Sequence, residues 1–93
     1  MNIIWDDEKD KKLKKERGIS FEEIASLILD KKYIDIVKHP KRPSQSLFIL
    51  PIKGYTHAVP FVFDENKNIV LKTAFPSRKF HKKYGQKNDE SKA

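Results

Sequence analysis

The side chains best suited to chemistry lie in the second half of the chain, from His57 to Tyr84. The guanidinium of Arg78 can clamp a phosphate with two parallel hydrogen bonds. His57, His81 and Tyr84 each carry a group that can donate or accept a proton. These residue types suit RNA cleavage by its own 2′-hydroxyl, which needs correct orientation, cations at phosphorus and proton transfer. Such a reaction requires no metal ion and yields a 2′,3′-cyclic phosphate and a 5′-hydroxyl.

Further cations are spaced to contact an RNA backbone. Lys72 lies on the last predicted strand and is a second candidate for phosphate contact beside Arg78. His39 and Arg42 fall in the predicted basic loop H-P-K-R-P-S-Q, where backbone binding is a more fitting role than catalysis. The other expected RNA-binding residues are lysines of the C-terminal segment: Lys79, Lys82 and Lys83.

Each catalytic candidate also has a purely structural interpretation. In that interpretation Arg78 is a surface arginine that packs its stem on the sheet, and His57 is a hydrogen-bonded histidine at the edge of the core. Phe80 and Tyr84, four residues apart, then anchor a helix to the core, and His81 is an exposed bystander. Residue type and spacing leave both interpretations open.

Length and charge bound the class of protein. A chain of 93 residues suits one domain, and its 20 Lys and Arg against 13 Asp and Glu give a net charge of +7. This charge favours a polyanionic partner such as nucleic acid, although it also serves to keep a small protein dissolved. No acid occurs between Pro76 and Asp89, so the positive charge is concentrated in the C-terminal segment.

Several kinds of site are not expected. The chain has no cysteine, which excludes disulfides and cysteine-ligated zinc and suits a reducing compartment. It contains no H-E-x-x-H motif and no glycine-rich phosphate loop, so we expect neither a metal nor a cofactor. No apolar run approaches the ~20 residues that span a bilayer, and the N-terminus lacks the order of a secretory signal. We therefore expect a cytoplasmic protein without membrane contact.

Two helices are predicted in the first third of the chain. Residues 6–17 mix five acids and six bases around one apolar residue, Leu13, so this helix should be largely solvated and end at Gly18. Ser20, with Glu23 three residues later, forms a capping box for the second helix. The apolar stripe that follows should pack on a sheet, and its members are Phe21, Ile24, Ala25, Leu27 and Ile28.

Four strand-like segments follow, Y-I-D-I-V, S-L-F-I-L-P-I, Y-T-H-A-V-P-F-V-F and N-I-V-L-K-T-A-F. Pro51 and Pro60 have no N–H, so each should sit at an edge, at a bulge, or with its nitrogen turned away from a neighbouring strand. The pattern predicts an α+β fold with a small antiparallel sheet of four to five strands, two N-terminal helices and a short C-terminal helix. Residues 1–86 form the predicted single domain and residues 87–93 a predicted disordered tail.

Three motifs together resemble the BrnT family of toxins from type II toxin-antitoxin systems. W-D-x-x-K at residues 5–9 begins thirteen residues before the Gly of G-I-S-F-E-E at residues 18–23, and P-S-R at residues 76–78 opens the basic C-terminal segment. The resemblance spans residues 3–84. Two departures concern Arg17, where many relatives have His, and the last helix, which is richer in arginine in relatives.

The resemblance implies a RelE-like fold in which residues 2–5 form a short first strand. It also implies ribonuclease activity that blocks translation, a role for Arg78 in that activity, and a cognate antitoxin encoded beside the toxin. Two other functions fit the residues: a non-catalytic RNA- or DNA-binding module, and a protein-interaction domain such as an inactive toxin relative. The choice between free and ribosome-bound RNA, and the oligomeric state, are open at this point.

Overall fold

The structure, a computed structural model, describes residues 2–85, and the predicted tail at residues 87–93 lies outside them. Helices and strands occur in the order β1 (Ile3–Ile4), α1 (Asp7–Arg17), α2 (Phe21–Leu29), β2 (Asp35–Lys38), β3 (Ser46–Ile52), β4 (Tyr55–Phe63), β5 (Ile69–Leu71), β6 (Phe75–Pro76) and α3 (Arg78–Phe80), followed by a π-helical turn at His81–Gly85. We call α3 and this turn together the C-terminal helix. Within residues 2–85, no helix combines the length and the apolar character that crossing a bilayer requires.

The strands form one mixed sheet in the order β1-β5-β4-β3-β2, with β6 paired to β4 as well. This confirms the predicted α+β class and the short first strand. The sheet differs from the expected antiparallel sheet of four to five strands in two ways. β1 joins the edge in parallel to β5, and the last predicted strand is divided into β5 and β6, so the sheet has six strands.

Pro51 on β3 and Pro60 on β4 each have their nitrogen turned away from a paired strand. The carbonyl of Pro60 accepts a hydrogen bond from the Lys72 N–H at 2.9 Å, so the Pro60 nitrogen faces the gap between β5 and β6. The carbonyl of Ile49 accepts from the Ile34 N–H at 2.6 Å, just before β2 begins. Pro51, two residues later on β3, faces the same side beyond the start of β2, so no ladder bond is lost.

Alternating strand residues create an apolar layer on each face of the sheet. On one face, the helices α1 and α2 cover the strands, and the main members of this layer are Leu13, Phe21, Ile24, Ile28, Phe48, Leu50, Val59 and Phe61. On the other face lies a smaller layer, formed by Leu47, Ile49 and Ala58 with Phe75, Phe80 and Tyr84 packed on them. The N-terminal helices and the C-terminal helix therefore pack on opposite faces.

Side-chain caps hold α1 and α2 in place. The Asp6 carboxylate caps α1, and Gly18 ends it with a φ of 66°, a left-handed conformation that favours glycine. Ser20 Oγ accepts from the Glu23 N–H at 3.1 Å, as predicted for a cap. The carboxylate of Asp10 on α1 accepts from the Phe21 N–H at 2.8 Å, which lowers the pKa of Asp10 and ties α1 to the start of α2.

Candidate functional site

A cavity of about 500 Å³ lies between α1, the loop from β2 to β3 and the segment from β5 to β6. We call it the basic cavity because its lining contains five Lys and Arg, one His and a single carboxylate, that of Glu16. The positively charged residues and the histidine come from three separate parts of the chain: Lys9, Lys12, Arg17, His39, Arg42 and Lys72. Three of the predicted RNA-binding residues, His39, Arg42 and Lys72, are thus brought together.

The three cations on α1 are functional candidates that the sequence interpretation missed. It treated α1 as a solvated helix, whereas one of its faces forms a wall of the basic cavity. Lys9 and Arg17 are each four residues from Leu13, a spacing that puts all three on one side of the helix, and Lys12 is adjacent to Leu13. Leu13 is the one residue of α1 that is buried. The position of these cations relative to Leu13 could have predicted from the sequence that they lie on the side of α1 that faces the rest of the protein.

The loop from β2 to β3 has a defined conformation around His39. The Nδ1 atom of His39 accepts hydrogen bonds from the N–H groups of Lys41 at 3.1 Å and Arg42 at 3.2 Å. The Gln45 N–H donates to the Arg42 carbonyl at 2.9 Å and closes the turn. Because Nδ1 is the acceptor, the hydrogen of the neutral ring is on Nε2. His39 therefore offers one N–H donor at the basic cavity.

The cations of the basic cavity are free of ion pairs with the described carboxylates. Within residues 2–85 the ion pairs are Lys14 to Asp10 at 3.0 Å and Lys11 to Glu8 at 4.0 Å, and all four residues lie elsewhere on α1. The uncompensated charge makes the basic cavity attractive to anions, because a concave wall of one sign concentrates the field.

A second cavity of about 320 Å³, the histidine cavity, is lined by residues that include Arg17, Lys53, Tyr55 and His57. Glu16 and Arg17 line both cavities, so the two adjoin at the end of α1. His57 is 6% exposed, and its Nδ1 lies 2.9 Å from the Tyr55 carbonyl oxygen. A carbonyl only accepts, so Nδ1 carries the hydrogen and Nε2 of the neutral ring holds a lone pair. His57 thus has the tautomer of a general base.

His81 connects the C-terminal helix to the start of β4. Its ring stacks on that of Tyr55, with 4.0 Å between centroids and 18° between planes. Its Nδ1 accepts from the Thr56 N–H at 3.3 Å and lies 3.1 Å from Thr56 Oγ1. His81 lines neither cavity. His81 therefore packs against Tyr55, the residue whose carbonyl oxygen faces Nδ1 of His57.

Tyr84 lies on the opposite face of the sheet from α1. Its hydroxyl donates to the Asp35 carboxylate at 2.8 Å, which raises the pKa of Tyr84 and lowers that of Asp35. Its ring packs near that of Phe80, with 6.2 Å between centroids, against the smaller apolar layer. Both aromatics anchor the C-terminal helix, and Tyr84 lines neither cavity.

The basic residues of the C-terminal helix are exposed and line neither cavity. Arg78 is two residues after Pro76. Pro76 pairs with His57 in the sheet and lines the histidine cavity. The Lys79 ammonium lies over the Phe80 ring at 5.7 Å. Lys82 and Lys83 are exposed as well. The structure therefore does not gather Arg78, His57, His81 and Tyr84 around one point.

No protein-family model, no curated protein and no solved structure matches the chain. The resemblance to BrnT toxins thus stays an expectation from the motifs.

The two cavities together can hold an anion and move a proton. Among residues 2–85, no three His, Asp or Glu side chains converge to bind a metal ion. The lysines and arginines of the basic cavity suit phosphate groups, and Arg17 connects them to the proton acceptor on His57.

Proposed function

We propose that this protein is a ribonuclease that cleaves single RNA strands, with His57 as its general base and no catalytic metal. The observation that carries the proposal is the hydrogen bond from His57 Nδ1 to the Tyr55 carbonyl, which leaves Nε2 as a proton acceptor on a residue that lines the same cavity as Arg17. The basic cavity, whose cations suit phosphate groups, shares Arg17 with this histidine cavity.

In this mechanism Nε2 of His57 removes the proton of an RNA 2′-hydroxyl, and the 2′-oxygen attacks the adjacent phosphorus. The guanidinium of Arg17 stabilises the additional negative charge on the phosphate oxygens. The bond from phosphorus to the 5′-oxygen breaks, and that oxygen takes a proton from water. The products are a 2′,3′-cyclic phosphate and a 5′-hydroxyl, and His57 returns its proton to solvent.

The remaining predicted residues have supporting roles in this proposal. Lys72, His39 and Arg42 bind RNA in the basic cavity. Arg78 contacts the strand outside the cavities, together with Lys79, Lys82 and Lys83 of the same helix. His81 is a positioning residue because it stacks on Tyr55. Tyr84 holds the C-terminal helix to Asp35 on β2.

We further propose that the cleavage serves a cytoplasmic toxin of the BrnT type, with a RelE-like fold and a cognate antitoxin. The motifs at residues 5–9, 18–23 and 76–78 support this proposal, and the mixed sheet with helices on both faces agrees with it in class. Induced expression should arrest growth, and co-expression of the neighbouring reading frame should restore it. Growth arrest that persists in a His57→Asn strain would contradict the link to cleavage.

The direct test is to incubate the purified protein with RNA in excess chelator. We expect cleavage with cyclic-phosphate ends, and a loss of about 100-fold or more in His57→Asn because a general base contributes about 10²–10⁴-fold. His57 is buried, so circular dichroism must show that this variant folds. Arg17→Gln changes an exposed residue and should lose activity without loss of folding. Cleavage that depends on metal, or that survives both substitutions, would overturn the mechanism.

A non-catalytic nucleic-acid-binding module is the second candidate. It is favoured by one observation: three of the four predicted catalytic residues, Arg78, His81 and Tyr84, line neither cavity, whereas the predicted RNA-binding residues of the basic cavity converge. Under this alternative the protein binds RNA or DNA in a salt-dependent manner and leaves it intact, even at high protein concentration. Analysis of the RNA ends after binding separates the two candidates.

A further inference from the structure

We infer that the basic cavity is a subsite for one nucleotide of a single RNA strand, held by both phosphates that flank it. The inference rests on the proposed function for its choice of RNA, but the binding itself does not depend on cleavage. It assigns Lys9, Lys12 and Arg17 of α1 to the nucleotide site together with the loop residue Arg42 and the strand-end residue Lys72.

The charge of the basic cavity exceeds what one phosphodiester can neutralise. Five Lys and Arg face a single carboxylate, Glu16, and none of the five forms an ion pair with a carboxylate of residues 2–85. A phosphodiester carries one negative charge. The cations also stand on three separate chain segments around the cavity, which suits two phosphate groups on different sides of a ligand.

Part of the cavity lining is apolar, which a site for inorganic phosphate alone does not require. Leu13 is 5% exposed, Pro60 is buried and Phe75 is half-buried, and all three line the cavity. Aromatic and aliphatic side chains of this kind pack against the faces of unpaired bases. Gln45 and Thr73, also in the lining, can hydrogen-bond a base edge or a ribose hydroxyl.

The size of the cavity fits a single nucleotide. A volume of about 500 Å³ lies within the range of about 300–1,000 Å³ of sites for small organic ligands. One base with its sugar and phosphates is a ligand of this size, and we therefore assign the cavity to one nucleotide of an unpaired strand.

His39 adds a donor of fixed direction to the subsite. Its Nδ1 is occupied by the N–H groups of Lys41 and Arg42, so the neutral ring presents Nε2–H to the ligand. This donor can meet a phosphate oxygen or a base acceptor.

The nucleotide subsite lies next to the proposed base. Glu16 and Arg17 border both the basic cavity and the histidine cavity. A nucleotide in the basic cavity thus places its 5′-phosphate towards Arg17 and His57. The preceding nucleotide of the strand then presents its 2′-hydroxyl at the same place.

The experiment is calorimetric titration of the purified protein with small ligands that cannot be cleaved. We expect adenosine 3′,5′-bisphosphate to bind about tenfold or more tightly than adenosine 5′-monophosphate, since a charged hydrogen bond contributes about 1.5–3 kcal/mol. Adenosine should show no measurable binding. Pyrophosphate as tight as the bisphosphate would overturn a nucleotide site, and tighter binding of adenosine 5′-diphosphate would indicate a free nucleotide in place of a chain.

Matched variants locate the binding. Lys12→Gln and Arg42→Gln should each weaken bisphosphate binding about tenfold. Lys15→Gln removes the same charge from an exposed position of α1 outside the cavity and should leave the affinity unchanged. Equal losses in Lys12→Gln and Lys15→Gln would overturn the subsite, because they would report only the net charge.

His57→Asn separates the two proposals. The variant should bind the bisphosphate like the wild type and fail to cleave RNA. If the wild type binds the bisphosphate in the basic cavity but leaves RNA intact, the ribonuclease proposal fails and the subsite stands. If it cleaves RNA but does not bind the bisphosphate, the subsite fails and the ribonuclease proposal stands.

Discussion

The chain carries two cation-rich helical segments, and the structure uses them differently. α1 mixes acids and bases and has one buried side chain, yet its Lys9 and Lys12 form a wall of the basic cavity. The C-terminal helix has no acidic residue and a higher local charge, but its basic side chains line neither cavity. Local net charge therefore does not predict which cations come together in a cavity.

Convergence of separate chain segments explains the difference. The basic cavity receives cations from three separate segments of the chain: α1, the loop that contains Arg42, and the end of β5, which Lys72 follows. The C-terminal helix presents its cations alone and uses its aromatic residues, Phe80 and Tyr84, for packing. Clefts lined with one sign of charge focus the field, whereas charges outside a cleft are surrounded by solvent and screened by salt.

The largest effect on stability should come from shortening the apolar side chain that packs each of the two helices on the sheet, Leu13 of α1 and Phe80 of the C-terminal helix. Leu13→Ala is expected to lower the free energy of unfolding by about 3 kcal/mol, because it creates a cavity beneath α1. Phe80→Ala should cost about 1–2 kcal/mol, because that ring is only half-buried. Urea unfolding of both variants measures the difference.

Leu29→Ala is the control for Leu13→Ala, since the same atoms are removed from a side chain that is 71% exposed. It should change stability by less than about 0.5 kcal/mol. If Phe80→Ala lowered the free energy of unfolding as much as Leu13→Ala, both helices would be packed equally well on the sheet. The contrast between the two helices would then be wrong.

The next largest effect concerns RNA affinity. Lys12→Gln combined with Arg42→Gln should weaken binding of a single strand about 100-fold, and the slope of log K against log salt should fall by about 1.4. Lys79→Gln combined with Lys82→Gln removes the same charge from the C-terminal helix. Fluorescence anisotropy at several salt concentrations measures both pairs.

The C-terminal pair should weaken RNA binding by less than about threefold, because a lysine that lines no cavity has no surrounding wall of cations to focus the field and makes only a weak, screened contact. Equal losses in the two pairs would show that net charge, and not the cavity, governs binding.

The smallest effect should come from Tyr84→Phe, which removes the hydrogen bond to Asp35. A decrease in Tm of about 3 °C or less is expected, with unchanged RNA binding, since the bond lies outside both cavities. Asp35 has a folded-state pKa below its ordinary 3.8, so its stabilisation is present above pH 3.8 and disappears as the pH falls through the lowered pKa.

The pKa of Tyr84 is raised above 10.0, so its contribution is present below pH 10 and is lost as the pH rises through the raised pKa. Thermal unfolding of wild type and Tyr84→Phe should thus differ at neutral pH and converge in strong acid. A difference that does not change with pH would show that the ring contact, and not the Asp35 bond, is responsible.

Much of the fold was predictable because its signals are local. The cap at Ser20, the end of α1 at Gly18 and the alternating strands depend on neighbours a few residues away. The division of the last predicted strand was not predictable, because it follows from how β4 pairs with β5 and with β6. The candidate site was predicted in part: Lys72, with the loop residues His39 and Arg42, reaches the cavity, whereas the α1 cations were missed.

The sequence by itself determined the net positive charge, the α+β class, the caps and the apolar anchors of the helices, because composition and periodicity act over short distances. Only the folded structure decided which cations share a cavity and which ring nitrogen of His57 carries the hydrogen. The basic cavity brings together residues far apart in the chain, such as Arg17 and Lys72. The ring hydrogen of His57 is fixed by the folded backbone of β4, which holds the Tyr55 carbonyl, two residues away, against the imidazole.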